Sequence, residues 1–314
     1  MTKRVRVVIV TFNAADIIRD CLVSLYSDFT AGLIEVSVVD NDSSDKTTEI
    51  VKHEFEWVSL IDAGRNAGFG AGNNLGSNGF QGDYLYFLNS DARSMPESID
   101  RLVGTLDEDN KIGIVGPLIY DEAGNKTLSS YRFVTPFYAV WIAVGLNKVF
   151  PLNRSNGKSE IRRVPPDGLT RVDRLLGAAF MMRRDLFVKF GGFDENYFLF
   201  SEEEDLCMQT HKAGFETVFD PDAKAIHLGS KTIVQYSTLG IASASWSLVY
   251  FLKKHFNNIS ANMAIFAWEV MLGVKWLIVF LFVRNGKIVR MKGYSTAIKS
   301  LINSTYYDNY VRPK

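Results

Sequence analysis

Several groups of residues in this 314-residue chain have types and spacing suited to chemistry. Asn89-Ser90-Asp91 closes the apolar and aromatic run from Tyr84 to Leu88. Such a continuous run reads as a central strand of a parallel sheet, covered on both faces. Ligands bind beyond the carboxyl ends of such strands. Asp91 at that edge has the chemistry to hold a metal ion or a polar ligand. The same residues also fit a plain turn before a helix, with Ser94 and Pro96 as start signals. Thr11-Phe12-Asn13 and Asp40-Asn41-Asp42-Ser43-Ser44-Asp45 close two further β-branched runs in the same way. Ser201-Glu202-Glu203-Glu204-Asp205 opens a helix. Ser201 and Glu204 have capping-box spacing, which explains Glu204 but not four acids in succession. Neighbours on a helix point about 100° apart, so one or two of them at most face a common cleft. Crowded carboxylates raise one another's pKa, which suits a general base. His227, taken alone, reads as a packed or surface histidine.

The elements that must position these groups alternate. Strands are expected at 5–10, 35–39, 58–61, 84–88 and 112–120, the last interrupted by Gly116-Pro117. Helices are expected at 17–26 (capped by Asp16), 46–55 and 98–106, with another entered from the glycine-rich segment 64–74. Residues 128–170 read as a long irregular connection, which in a compact domain is usually functional. A strand within 171–183, a short helix at 185–190 closed by Gly191-Gly192, a helix from the acidic cluster to Ala213, and a strand at 216–219 ended by an Asp220-Pro221 turn follow. This alternation predicts a doubly wound, mainly parallel α/β sheet with right-handed crossovers. Gly68-Phe69-Gly70-Ala71-Gly72 matches a dinucleotide fingerprint only superficially, because it does not follow the first strand. That argues against a nicotinamide dehydrogenase.

Lys plus Arg equals Asp plus Glu at 35 each, so no basic excess points to nucleic acid. Cys21 and Cys207 form no disulfide framework and have no metal-ligand spacing, which fits a reducing compartment. The apolar run after Lys3, Arg4 and Arg6 is too short for the core of a signal peptide.

Taken together and in order, the motifs carry a resemblance. They are Val10-Thr11-Phe12-Asn13, Asp40 to Asp45, Arg65-Asn66 through Asn73-Asn74, Asn89-Ser90-Asp91, Gly177-Ala178-Ala179-Phe180, Gly192-Phe193-Asp194, the acidic helix start and His227. Over roughly residues 4–230 the chain resembles the inverting family 2 glycosyltransferases of GT-A fold, and among them the bacterial rhamnosyltransferases of polysaccharide assembly. The resemblance implies that Thr11, Asp40 and Asn41 hold the base and ribose of a nucleotide-sugar donor. Asn13, Asp42, Arg65, Asn66, Gly68, Asn73, Asn74, Asn89 and Ser90 complete the donor-binding set. Asp91 matches the last aspartate of the Asp-x-Asp motif, which binds Mg²⁺ or Mn²⁺ bridging the donor diphosphate, and Asn89 stands at its first position. His227 matches a histidine that completes the metal shell. In the Glu-Asp pair that supplies the catalytic base, the second residue aligns with Glu203, with Glu202 and Asp205 as alternatives.

The function so implied is metal-dependent, inverting transfer of L-rhamnose from dTDP-rhamnose to a glycan or lipid-linked saccharide in bacterial cell-surface polysaccharide synthesis. Two alternatives stay open: a UDP-sugar donor (galactofuranose, glucose or N-acetylglucosamine), or a non-catalytic nucleotide-sugar-binding scaffold. The catalytic domain is expected at 1–235, with a nucleotide-sugar half at 1–120 and an acceptor half at 121–235. A helical region is expected at 236–314. Met263 to Val283 has transmembrane length but contains Glu269 and Lys275, each costing about 3 kcal/mol at a bilayer centre. Flanking Lys253, Lys254, Arg284, Lys287, Arg290 and Lys292, with Trp268 and Trp276, favour a helix at a membrane interface over a span. Packing on the catalytic domain and a homodimer contact stay open. The expected location is cytoplasmic, peripheral at the inner face of the plasma membrane.

Overall fold

A computed structural model of the protein describes residues 4–146, 168–229, 238–284, 286–303 and 307. The chain divides into two compact units. The first takes in residues 1–132, 163–195 and 203–232; the second takes in 133–162, 196–202 and 233–314.

The first unit is built on a nine-stranded mixed sheet. Its strands are β1 (Val5–Thr11), β2 (Ile34–Asp40), β3 (Ser59–Asp62), β4 (Tyr84–Leu88), β5 (Ala92–Ser94), β6 (Ile112–Tyr120), β8 (Thr170–Val172), β10 (Ala179–Arg183) and β11 (Glu216–His227). The path is β3-β2-β1-β4-β10-β6-β11-β5, with β8 added to β11. A separate pair joins β7 (Ser130–Tyr131) to β9 (Arg174–Leu175). The strands from β3 to β4 run parallel, so their carboxyl ends share one edge. The near-continuous burial of β1, β2 and β4 follows from cover on both faces, while edge strand β3 is partly exposed. The helices of this unit are α1 (Ile18–Val23), α2 (Tyr26–Thr30), α3 (Thr47–Glu54), α4 (Phe69–Ser77), α5 (Ser98–Glu108), α7 (Arg184–Phe190) and α8 (Glu202–Lys212), whose first residue is assigned to the second unit.

Glycine in α4 serves close packing. A Cβ on Gly72 would lie 2.8 Å from a methyl of Val10, and one on Gly76 2.5 Å from a methyl of Val8. The bare backbone therefore lets α4 lie directly on β1 and β2. On the core, Phe87, Phe180, Phe187 and Phe193 form a cluster with centroids 4.9–6.4 Å apart. Each such contact contributes roughly 0.5–1.5 kcal/mol beyond area burial.

Several expectations are corrected. The strand at 179–183 is antiparallel to both neighbours, β4 and β6. Asn89-Ser90-Asp91 leads into the short strand β5, and neither Ser94 nor Asp16 caps a helix. Residues 17–26 are split between α1 and α2. Gly116-Pro117 does not interrupt β6: Pro117 sits opposite Asp220, where β11 bulges, so its missing N–H costs no ladder bond. Asp220-Pro221 is accordingly part of β11 rather than a turn that ends it. The span 128–170 contains β7 and helix α6 (Pro136–Ala143), capped by Thr135, and ends where β8 begins; the portion at 147–167 lies outside the described residues.

The second unit holds α6 with three long helices, α9 (Thr238–His255), α10 (Asn258–Phe282) and α11 (Lys287–Ile302). Ala139, Leu248, Leu252, Ala261, Ala264 and Ile265 form one of its cores. Met271, Leu272, Ala297 and Tyr307 contribute to another. The Asn257 side chain caps α10 by accepting from the Ser260 N–H at 3.0 Å.

Candidate functional site

Three clusters gather on the carboxyl edge of the sheet in the first unit. The first joins β1, β2 and α4. Thr11 lies opposite Asp40 in the ladder, and the Asn41 N–H donates to the Thr11 carbonyl at 2.8 Å. The Asn41 side-chain amide donates to the Gly68 carbonyl at 3.0 Å. Gly68 has φ +88°, a backbone region that favours glycine. One oxygen of Asp40 accepts from the Ser43 N–H at 2.9 Å. Its other oxygen, Thr11 Oγ1 and Asn41 Oδ1 are buried with no protein partner. A buried polar atom without a partner costs about 1–3 kcal/mol, so three of them at the ends of β1 and β2 suit a ligand that would satisfy them. Asn13 braces the rim: its Oδ1 accepts from the Ser44 N–H at 2.8 Å. Asp42 is exposed with φ +67°.

The second cluster forms where β4 ends. Ala92 pairs with His227 across β5 and β11, and the Leu228 N–H donates to the Asp91 carbonyl at 3.0 Å. This pairing sets His227 Nε2 3.2 Å from Asp91 Oδ1, in a geometry that is close but not a hydrogen bond. Both side chains are largely buried. His227 Nε2 and Asn89 Oδ1 have no hydrogen-bond partner. A carboxylate oxygen and an imidazole nitrogen this close suit a divalent ion that takes its remaining ligands from a diphosphate. Among the described residues, no group of three or more His, Cys, Asp or Glu could hold a metal alone. The residues therefore fit an ion that arrives with a phosphorylated ligand. Cys21 lies behind, its Sγ donating to the Asn89 carbonyl at 3.6 Å. Burial, and then the charge of Asp91, push this thiol well above its ordinary range, so it is inert.

The third cluster is the start of α8. Glu204 and Asp205 are buried, and Asp205 accepts from the Gln209 side-chain amide at 2.7 Å. Glu202 is also buried. Glu203 alone of the four acids is partly open to solvent. Arg174 reaches both Glu203 (3.4 Å) and Glu204 (3.6 Å) and lies 4.8 Å over the Tyr131 ring. Burial works against its charge, but Glu204 and Glu203 outweigh this and hold the guanidinium above its ordinary value. Gly177 leaves room for Glu203: a Cβ there would meet Glu203 Cγ at 3.3 Å. The Asn89 N–H donates to the Ala178 carbonyl at 2.9 Å, which ties this cluster to the second.

Not every donor-set residue is brought to these clusters. Asn74 straps α4 to the Gly192-Phe193-Asp194 turn, donating to the Phe193 carbonyl (2.9 Å) and accepting from its N–H (2.8 Å). The Asn73 amide turns back to the Phe69 carbonyl in its own helix. Arg65 is exposed on the loop after β3, and Asn66 accepts from the Gly68 N–H at 3.2 Å. Ser90 is buried beside Asp91 in sequence. No sequence motif marks Arg174; a lone basic residue just before the Gly177 motif is the one available signal.

The sequence matches the family described as Glycosyl transferase family 2 over residues 6–188. It is 30% identical over 238 residues to N-acetylglucosaminyl-diphospho-decaprenol L-rhamnosyltransferase of Mycobacterium tuberculosis, covering 72% of this chain and 76% of that protein. It is 26% identical to rhamnosyltransferase WbbL of Escherichia coli strain K12, covering 71% and 83%. Among solved structures, the mannosyltransferase PcManGT from Pyrobaculum calidifontis, in complex with GDP-Man and Mn²⁺, matches with TM-score 0.57 and 15% identity over 98% of this chain and 88% of that one. Residues 1–349 of TarS from S. aureus match with TM-score 0.51 and 15% identity over 97% and 92%. The two structures establish a shared GT-A fold. By sequence, the chain belongs to glycosyl transferase family 2 and is a rhamnosyltransferase-like glycosyltransferase.

Proposed function

We propose that this enzyme transfers L-rhamnose from dTDP-rhamnose, with inversion, to a lipid-linked saccharide in bacterial cell-surface polysaccharide synthesis, at the inner face of the plasma membrane. The observation that carries the donor reading is that buried oxygens of Thr11, Asp40, Asn41 and Asn89, at the ends of β1, β2 and β4, lack partners, with the Asp91–His227 pair following β4. Rhamnose and a lipid-linked acceptor are supported by the Mycobacterium tuberculosis relative, whose name carries both.

In this reading Thr11, Asp40 and Asn41 take up the base and ribose. Asp91 and His227 would hold Mg²⁺ or Mn²⁺ against the donor diphosphate, where the ion would offset charge developing on the leaving group. Glu203 accepts the proton of the acceptor hydroxyl as that oxygen bonds to the anomeric carbon. The bond from that carbon to the diphosphate oxygen breaks, and the nucleoside diphosphate leaves with the electron pair. One displacement inverts the centre and needs no enzyme nucleophile. Arg174, 3.4 Å from Glu203, would hold that carboxylate in place.

A calorimetric screen of dTDP-rhamnose, UDP sugars and GDP sugars, with and without Mn²⁺, tests the proposal. The expected result is tightest binding of dTDP-rhamnose, at least tenfold tighter with the ion. Tighter binding of a UDP sugar would replace rhamnose as the donor. Binding of no nucleotide sugar would overturn the reading.

A further inference from the structure

Helix α10 packs one flank inside the second unit and leaves the other bare. Ala261, Ala264, Ile265, Met271, Leu272 and Val279 are buried. Ile259, Met263, Phe266, Val270, Val274 and Leu277 are exposed, from about half (Leu277, 49%) to 78% (Ile259). Their steps of three and four residues place them on one helical stripe. At 1.5 Å per residue, it is about 27 Å long. Monomeric proteins in water rarely expose contiguous apolar patches beyond a few hundred Å². The stripe ends at an apolar tip, Phe280 to Phe282, also exposed, over which Lys287 stacks at 4.9 Å from the Phe280 ring.

Charge identifies what covers this face. Residues 238–303 contain eight Lys or Arg and a single acid, Glu269. The rest of the chain has 27 basic and 34 acidic residues, so the basic excess is confined to this helical unit. Five of the eight lie between Arg284 and Lys299, on or just before α11, which has no acid at all. An exposed apolar stripe with basic residues around it matches the polar–apolar boundary of an anionic bilayer. Although α10 is long and apolar enough to cross a membrane, its packing against α6, α9 and α11 and the cost of taking the basic residues of α11 into hydrocarbon favour the interface over a span. A second copy would bring two units of like excess charge face to face, which is unfavourable.

We infer that the bare flank of α10 and the basic side chains of α11 dock this protein, lying in the plane of the interface, on an anionic phospholipid surface. The inference gives the membrane location named above a defined surface and rests on neither the donor nor the base.

The test is co-sedimentation of the full chain with vesicles of phosphatidylcholine plus phosphatidylglycerol, against phosphatidylcholine alone. Binding to the anionic vesicles should be at least tenfold tighter and should fall as salt rises. The double variant Phe266→Asp/Val270→Asp should lose at least tenfold in vesicle binding with an unchanged melting temperature, because both residues are exposed. Lys287→Glu/Lys292→Glu, which leaves the stripe intact, should lose about fivefold for each basic charge removed. Failure to bind anionic vesicles, or equal binding by the stripe variant and the parent, would overturn the inference. So would a dimer in light scattering that Phe266→Asp/Val270→Asp splits, since that result makes the stripe an interface between copies.

Discussion

Asp220 and Asp91 are both buried carboxylates tied to strand β11, and their surroundings differ completely. Asp220 is fully buried, and its oxygens accept from Arg101 Nε (2.8 Å), Thr105 Oγ1 (2.6 Å) and the Asp222 N–H (3.0 Å). At the other end of the strand, Asp91 has no side-chain hydrogen bond among the described residues, and its near neighbour is His227 Nε2. Buried polar groups are normally satisfied. A carboxylate with three partners is finished by the protein and holds the β11 bulge to α5. One that faces an imidazole nitrogen, with a partnerless Asn89 oxygen close in sequence, is open to completion by a bound ion, as proposed above. The acidic start of α8 lies between these extremes: Asp205 has a protein donor, while Glu203 keeps both an ion pair and access to solvent.

The largest effect that sharpens this contrast falls on Glu203. Glu203→Gln should lower the turnover rate by roughly 10²–10⁴-fold while donor affinity, read by calorimetry, stays within about twofold of the parent. Full activity in this variant would move the base role to Glu202 or Asp205. Asp220→Ala should instead cost about 2 kcal/mol of stability in chemical denaturation, by removing the buried acceptor shared by Arg101 and Thr105. An Asp220→Ala protein with an unchanged denaturation midpoint would erase the distinction between finished and unfinished carboxylates. Gly177→Ala should reduce turnover about tenfold with little change in melting temperature, because the new methyl presses on Glu203. The smallest effect concerns Asp28, buried in α2 away from these clusters. Burial, and then Asp100, raise its pKa from 3.8 to about 6. The unfolded chain ionises this carboxyl more readily than the folded one, so the native state loses stability as pH rises from about 4 to 6. Asp28→Asn should therefore be about 1 kcal/mol more stable than the parent at pH 7 and no more stable at pH 4.

Much of the fold was legible because strands β1, β2 and β4 are apolar runs ended by polar residues, and that contrast needs no tertiary information. The direction of β10 was not legible, since an apolar strand reads the same whether parallel or antiparallel. Three-residue β5 is too short for any periodicity to register, yet it carries the pairing that brings His227 to Asp91. The Asp220-Pro221 pair has turn chemistry, and only the opposing Pro117 explains why β11 continues through it. In the site, Thr11, Asp40, Asn41 and Asp91 stand out by type and position. Asn74 has an equally suggestive type, but its amide is spent on the Phe193 backbone 119 residues away, a contact with no local signal. Arg174 stayed hidden for the same reason: its partners Glu203 and Glu204 are 29 and 30 residues further along the chain.

The most direct test is a calorimetric titration of dTDP into the parent and into Asp91→Asn, each with and without Mn²⁺. The parent should bind at least tenfold more tightly with the ion, and Asp91→Asn should bind equally weakly in both conditions with an unchanged melting temperature. A full Mn²⁺-dependent gain in Asp91→Asn, or none in the parent, would contradict the assignment of Asp91 to the metal–diphosphate junction.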